Sequence, residues 1–433
     1  NEIEHNDFKI SSWWSIDKLI SNKIPKAYAE ESSTIVEKKL QESVRLQSIS
    51  DVPVGCFLSG GIDSSVIALL MQRNSKKPIN TFTVGFEEEG YDEANYAKDI
   101  AEKIGTNHKE IFVTSKEAQE VVPLISTIYD EPFSDVSQIP TYLISKLAKE
   151  HVTVVLSGDG GDELFGGYNR YRFGPSLWAL IKYMPKSVRY AVFKMILLFP
   201  PSFLNRISFL FPKRFALNLL GEKVHNILSK LISVKDEKEL YGKLVTLWQE
   251  EERVLVKERS IYDLPDLLGE MNQDSTFEEN MMFFDAKSYL SDDILVKVDR
   301  ASMSNSLETR VPFLNHELYE ISLSIDLDQK IKKNKGKIIL QSIFNKYFPE
   351  IDLTRPKQGF SVPIGDWLRG PLMDWAQKLL DPKRIESEGF FEADKINKYW
   401  QEHQSGKRNW DHRLWNILVF QSWLEDQNYE ESR

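Results

Sequence analysis

The chain has 433 residues, 41% hydrophobic and 28% charged, a balance that suits a globular protein of about two or three domains and leaves no long disordered tract. Its net charge of −10 argues against a general role on nucleic acid, because a binder of the phosphate backbone carries a basic surplus. A single cysteine excludes an internal disulfide, no CxxC pair or His/Cys cluster offers a zinc site, and a cytoplasmic location fits.

From the N-terminus, a polar lead and the pair Trp13-Trp14 precede a helix expected over residues 30–48, which ends ahead of Pro53. A run of small and apolar residues, Val52 to Phe57, then enters Leu58-Ser59-Gly60-Gly61-Ile62-Asp63-Ser64-Ser65 and leaves through Val66-Ile67-Ala68-Leu69-Leu70. This reads as strand, tight polar turn, helix. Two glycines let backbone N–H groups approach a ligand, three serines add hydroxyl donors, and the helix N-terminus adds positive dipole, so the turn suits phosphate oxygens. Asp63 is out of place in a plain anion nest, but a carboxylate among phosphate donors makes sense when Mg2+ bridges the two. The plainer alternative for this segment alone is a strand-to-helix turn with a Ser/Asp cap. Cys56 reads as a small buried hydrophobe of the first strand.

Strands expected over 80–86, 108–113 and 152–156 alternate with helices over 91–104, 116–129 and 140–149. The alternation predicts an α/β fold built on a doubly wound parallel sheet, with the core unit spanning 30–172. His108 is expected to start a strand, His316 to be structural, and no histidine pair has helix-face metal spacing. The strand Val152-Thr153-Val154-Val155-Leu156 is unbroken in apolar and β-branched content and runs into Ser157-Gly158-Asp159-Gly160-Gly161-Asp162-Glu163-Leu164-Phe165-Gly166-Gly167-Tyr168. Loops at the carboxyl ends of parallel strands converge on one crevice, so the two turns should face each other, with Asp63 and Asp162 sharing a metal. Neither loop carries a Walker A or Gly-x-Gly-x-x-Gly pattern.

Beyond Tyr171 the apolar spacing is helical, as in Trp178, Leu180 and Tyr183 and later Ile339, Ile343 and Tyr347, and predicts a mostly α-helical second half. Within 173–235, ten Lys or Arg face one acid, Glu222, and are interleaved with Met195-Ile196-Leu197-Leu198-Phe199 and Phe209-Leu210-Phe211. Lys194, Pro200 and Pro201 keep these runs below the roughly 20 residues that span a bilayer. The segment reads either as amphipathic helices with a solvated basic face or as a surface for peripheral contact with an anionic membrane or substrate. Residues 236–433 read as a further helical part.

The Ser-Gly-Gly-x-Asp-Ser pattern at 59–64 resembles the pyrophosphate-loop (N-type) ATP pyrophosphatases. With the block 156–168, Val298-Asp299-Arg300-Ala301-Ser302-Met303, Leu307-Glu308-Thr309-Arg310-Val311-Pro312-Phe313-Leu314 and Lys357-Gln358-Gly359-Phe360-Ser361, it is similar to the synthetase domain of asparagine synthetases. The resemblance implies a ligase that uses ATP and Mg2+ to adenylate a carboxylate, aspartate in the first instance, and passes it to ammonia to give asparagine, AMP and pyrophosphate.

By position, the resemblance implies that Ser59, Gly60, Gly61, Asp63, Ser64 and Ser65 cradle pyrophosphate, with Asp63 and Asp162 bridging Mg2+ to it. It further implies that Leu58, Val84, Ser157 and Gly158 line the adenosine site, that Lys357 supplies positive charge with Arg300 as a second cation, and that Asp159 contacts the intermediate and the attacking amine. Asp159 stands where these enzymes often place Glu, so its carboxylate retreats by one methylene. Tyr168 either hydrogen-bonds substrate or is a structural phenol, Glu308 and Arg310 are expected as a buried ion pair shaping the pocket, and Glu163 as support for the site.

Asparagine synthetases normally begin with a glutaminase domain whose nucleophile is an N-terminal cysteine. This chain begins at Asn1 with no candidate for that step, so residues 1–29 are expected to be the linker after such a domain, and ammonia to be free or to come from a glutaminase domain or subunit. A homodimer is compatible. Two alternatives remain open: the same chemistry on another carboxylate, such as a uronic acid of a surface polysaccharide or a natural-product amide or lactam precursor, and a non-catalytic partner subunit.

Overall fold

The computed structural model describes residues 11–21, 29–86, 94–199, 203–204, 220–249, 252–257, 269, 271–332, 335–351, 353 and 362–431. Its sheet has strands β1 (Val54–Phe57), β2 (Asn80–Phe86), β3 (Asn107–Val113), β4 (Val154–Leu156) and β5 (Glu308–Arg310), all parallel, in the order β3-β2-β1-β4-β5. Helices α1 (Ala29–Gln47), α2 (Ile62–Asn74), α3 (Ala94–Ile104) and α4 (Gln138–Lys149) flank it.

Successive strand residues face opposite sides, and here both sides are covered, which explains the continuous apolar content of β4. Val155, Phe82 and Val84 face a cluster with Ile139 and Ile144 of α4 and with Trp415 and Leu418 near the C-terminus. Leu156, Cys56 and Leu58 face the other cluster, with Val66, Ile67 and Leu70 of α2 and Ala97 and Ala101 of α3. Cys56 is fully buried and desolvation pushes its thiol up to about 12, so it packs as an inert small hydrophobe.

Among the described residues, β4 is followed by the helices α5 (Gly161–Phe165), α6 (Asn169–Ile181), α7 (Lys186–Leu197), α8 (Leu220–Leu231), α9 (Glu237–Val245) and α10 (Phe277–Lys287). Tyr171, Phe193, Leu231, Tyr241, Met281 and Phe284 from these helices form a third apolar cluster. Beyond a π-helical turn (Leu290–Ile294) come α11 (Leu295–Met303), α12 (Ile338–Asn345), α13 (Ala393–Gln404) and α14 (Asp411–Glu431).

Two features depart from the sequence expectation. The helix expected over 116–129 is broken into Ser115–Gln119, a 3-10 turn Val122–Leu124 and Ile125–Ile128. Pro123 sits at the start of the 3-10 turn, lacking the N–H that a continuing α-helix needs. Strand β5 was not expected, and it carries Glu308 and Arg310. They do pair, at 2.6 Å, but Glu308 is half exposed, so the pair is not buried. Arg310 also donates to the carbonyls of Gln47 and Ile49, each at 2.8 Å, and ties the sheet edge to the end of α1.

Candidate active site

The chain leaves β1 toward β2 and returns to the other side of β1 as β4, so the topological switch point lies between these two strands. Leu58 closes one strand by donating its N–H to Phe82 O at 2.8 Å, and Ser157 the other by donating to Arg310 O at 2.8 Å. The register Cys56↔Leu156 then brings residues 58–61 and 157–160 off the sheet side by side. Left-handed backbone at Gly60 (φ 73°) and Gly160 (φ 86°) turns each loop into a helix. Gly158 presses against the first turn of α2, where a Cβ would stand 2.7 Å from Ser64 N.

The first loop is braced from within. Ser59 N–H donates to Ser64 Oγ at 3.1 Å, and the Ser65 hydroxyl donates to Gly61 O at 2.7 Å. Gly61 at the N-cap of α2 carries no side chain to cap it, and the helix N-terminus there suits an anion. The cleft in front of it holds about 710 Å³, within the range of small-molecule sites, and is lined by both loops, Tyr168, Lys297 and Lys337 among others.

Asp63 and Asp162 meet on one cation. Lys337 Nζ is paired with Asp63 and lies 2.7 Å from Asp162 Oδ1, and its side chain is only 8% exposed. The approach depends on glycines. A Cβ at Gly161 would lie 2.4 Å from Asp63 Oδ1, one at Gly167 1.9 Å from Asp162 Oδ1, and one at Gly336 2.2 Å from Gly166 O. Lys337 itself adopts φ 56° at the head of α12, and its N–H donates to Phe165 O at 3.0 Å. Among the described residues no three His, Cys, Asp or Glu side chains converge. A carboxylate pair fits Mg2+ that takes its remaining ligands from phosphates and water, since Mg2+ is commonly held by one or two carboxylates plus substrate phosphates.

On the same cleft, Asp159 accepts the Ser157 hydroxyl at 2.5 Å, and the Tyr168 phenol donates to Glu163 Oε1 at 2.7 Å. Burial, and then the Glu163 charge, hold that phenol well above its ordinary value, so it stays protonated as a donor. The Arg170 guanidinium packs between the rings of Tyr168 at 4.1 Å and Tyr289 at 4.8 Å and pairs with the fully buried Asp285 at 2.7 Å. Asp285 also accepts the hydroxyls of Tyr171 and Tyr241. The π-helical turn supports the same wall: Leu295 N–H bonds to Leu290 O, five residues back, and Tyr289 and Ile294 beside that wider turn line the cleft. Lys297 Nζ then donates to Asp135 Oδ2 and Ser137 Oγ, both at 2.9 Å. Burial opposes the Asp135 charge, but Lys297 and Ser137 outweigh it and hold the carboxyl below its usual range.

A family model described as asparagine synthase matches residues 36–425, which take in all five strands and both loops. The chain belongs to the asparagine synthase family. The glutamine-hydrolysing asparagine synthetase 1 of Bacillus subtilis is 31% identical over 388 residues, covering 90% of this chain and 58% of that protein. A Mycobacterium bovis protein provisionally given the same activity is 34% identical over 409 residues, covering 93% of this chain and 58% of its own length. The asparagine synthase match thus spans most of this chain, whereas the chain spans little more than half of either relative.

Of the residues singled out from sequence, Ser59, Gly60, Gly61, Asp63, Ser64, Ser157, Gly158, Asp159, Asp162 and Tyr168 all line the cleft. Ser65 is buried beneath it, tightening the turn through Gly61. Leu58 and Val84 point into the apolar clusters on opposite faces of the sheet and are not among the residues lining the cleft. Arg300 is not among the lining residues; its guanidinium pairs with Asp130 at 2.8 Å on exposed surface. Lys297, three residues earlier on α11, takes the place at the cleft. Lys357 lies outside the described residues. Lys337, Lys297, Tyr289 and Arg172 line the site without having been singled out. For Lys337 a signal existed: Lys335-Gly336-Lys337 precedes Ile338-Ile339-Leu340, a glycine-flanked cation at a helix start.

Proposed function

We propose that this chain is the synthetase part of an ATP-dependent, amide-forming ligase that adenylates aspartate and transfers ammonia to it. One observation carries the reading: Asp63 and Asp162, from neighbouring strand ends, meet at Lys337 in a cleft fronted by a serine- and glycine-rich loop that opens a helix. Family membership supports the ligase class.

The chemistry has a physical reason. A carboxylate is anionic and would have to expel oxide, so ammonia does not attack it at neutral pH. When a carboxylate oxygen forms a bond to the α-phosphorus of ATP, the bond to pyrophosphate breaks and an acyl-adenylate results. Ammonia then forms the C–N bond, the C–O bond to AMP breaks, and one proton is released. The Ser59 and Ser64 hydroxyls and the first N–H groups of α2 hold the departing pyrophosphate, and the Lys337 ammonium stabilises charge beside them. Asp63 and Asp162 would hold Mg2+, which when bound neutralises phosphate charge. Asp159 and the Tyr168–Glu163 pair orient the acceptor acid, and Asp159 takes the proton from the attacking ammonia. Ammonia comes from glutamine hydrolysis, the reaction that the relatives' names carry, in a further domain or subunit and in a cytoplasmic setting.

The shorter Asp159 favours one second reading, the same chemistry on a bulkier acid such as a uronic acid. Purified protein with ATP, Mg2+ and ammonia, screened against aspartate and uronic acids with AMP and pyrophosphate as readout, separates the two. Aspartate-dependent pyrophosphate supports the first reading, and turnover with a uronic acid alone moves the substrate to the second. Silence with every acid under conditions of proven folding would remove the ligase.

A further inference from the structure

We infer that the outward face of α6 and α7 is a docking surface for an anionic lipid bilayer. Among the described residues, nine of the 25 exposed large apolar side chains fall between Phe173 and Phe203. On α6 the exposed Phe173 and Leu180, continued by Tyr183, stand seven and three residues apart and so share one stripe. On α7 the buried Arg189 and Phe193 mark the inner face, and Arg189 donates to Val234 O beneath it. Val188, Met195 and, just past the helix end, Leu198 are exposed at the same seven- and three-residue spacing, with the Phe199 and Phe203 rings stacked 5.2 Å apart beyond them. This face is apolar although it packs against nothing described.

Its charge identifies the occupant. Residues 173–199 contain no Asp or Glu, in a chain of net charge −10. Exposed Lys182, Lys186 and Lys194 stand among the apolar side chains, Lys182 over the Tyr183 ring at 4.7 Å and Lys194 on the Tyr190 hydroxyl at 3.0 Å. Among the described residues, Glu237 of α9 feels the Lys182 charge. Lysines around aliphatic and tyrosyl side chains match a headgroup layer above acyl chains. A second copy is the poorer match, because a two-fold interface through this face sets the lysines against themselves. No described helix is long and apolar enough to cross a membrane, so the contact lies on the surface. The helix α6 also joins this face to the site: Tyr168 and Arg172 line the cleft, and the exposed Phe173 and Leu180 follow them along the same helix.

The test is co-sedimentation of the full chain with phosphatidylcholine vesicles, with and without phosphatidylglycerol, at low and high salt. Binding is expected only to the anionic vesicles, to weaken at high salt, and to fall about fivefold for each of Lys182→Gln, Lys186→Gln and Lys194→Gln. Met195→Glu with Leu198→Glu abolishes it, with the melting temperature and pyrophosphate release in solution unchanged. Equal binding to neutral vesicles, no binding at all, or light scattering that shows a dimer broken by Leu198→Glu overturns the proposal.

Discussion

Asp63 illustrates how little side chain the site needs once the backbone is arranged. Its carboxylate is set by the first turn of α2 and shares Lys337 with Asp162, the pair we propose as the Mg2+ ligands. Asp63→Asn keeps the shape and removes the charge, so pyrophosphate release should fall by about 10²-fold or more with melting temperature preserved; unchanged turnover would refute the metal role. Asp293 behaves differently. Burial first, then the Asp135 charge, push it up to about 6 against the opposing pull of Lys297 and Arg170, and its buried Oδ1 has no hydrogen-bond partner among the described residues. A carboxyl whose folded value is raised binds more protons folded than unfolded between roughly pH 4 and 6, so its contribution to stability falls as pH rises through that window. Asp293→Asn should therefore stabilise the fold by about 1–2 kcal/mol at pH 8 and by nothing measurable at pH 4, a difference that urea titrations at the two pH values resolve.

At the scale of elements, Asp285 fastens three helices: it takes the Arg170 guanidinium and the Tyr171 hydroxyl of α6 and the Tyr241 hydroxyl of α9 onto α10. Asp285→Ala leaves the largely buried Arg170 without its partner and should cost about 3–5 kcal/mol in a urea melt. Because Arg170 packs on Tyr168, the same change should loosen the cleft wall and raise the KM for the acceptor acid. Elements of this kind differ in how far sequence discloses them. Strand β2 and helix α4 were legible because long runs of one period dominate them, and both loops because glycine, serine and acid cluster at strand ends. Strand β5 was not, since three residues with alternating charge carry no periodicity and the strand exists only through pairing with β4. The Asp285 post was equally hidden, because its partners lie 44 to 115 residues away.

For the whole molecule, the parallel sheet sets the site and the helical half completes it. Lys337 arrives at the head of α12 and Lys297 on α11, both far in sequence from the loops they meet, so a local pattern such as Lys335-Gly336-Lys337 could mark a cation at a helix start but not its partners in the cleft, and Arg300 was singled out where Lys297 lines the site. Charge is also divided at this scale: the molecule is acidic overall, yet its face at α6 and α7 is basic and apolar. The central claim is that this cleft splits ATP between the α- and β-phosphorus to make an acid electrophilic. The most direct measurement is product analysis with ATP labelled at the α- and γ-phosphates, in the presence of ammonia and the acceptor acid. Adenylation puts the α-label in AMP and the γ-label in pyrophosphate, each in one-to-one ratio with amide formed; ADP and labelled orthophosphate would rule it out.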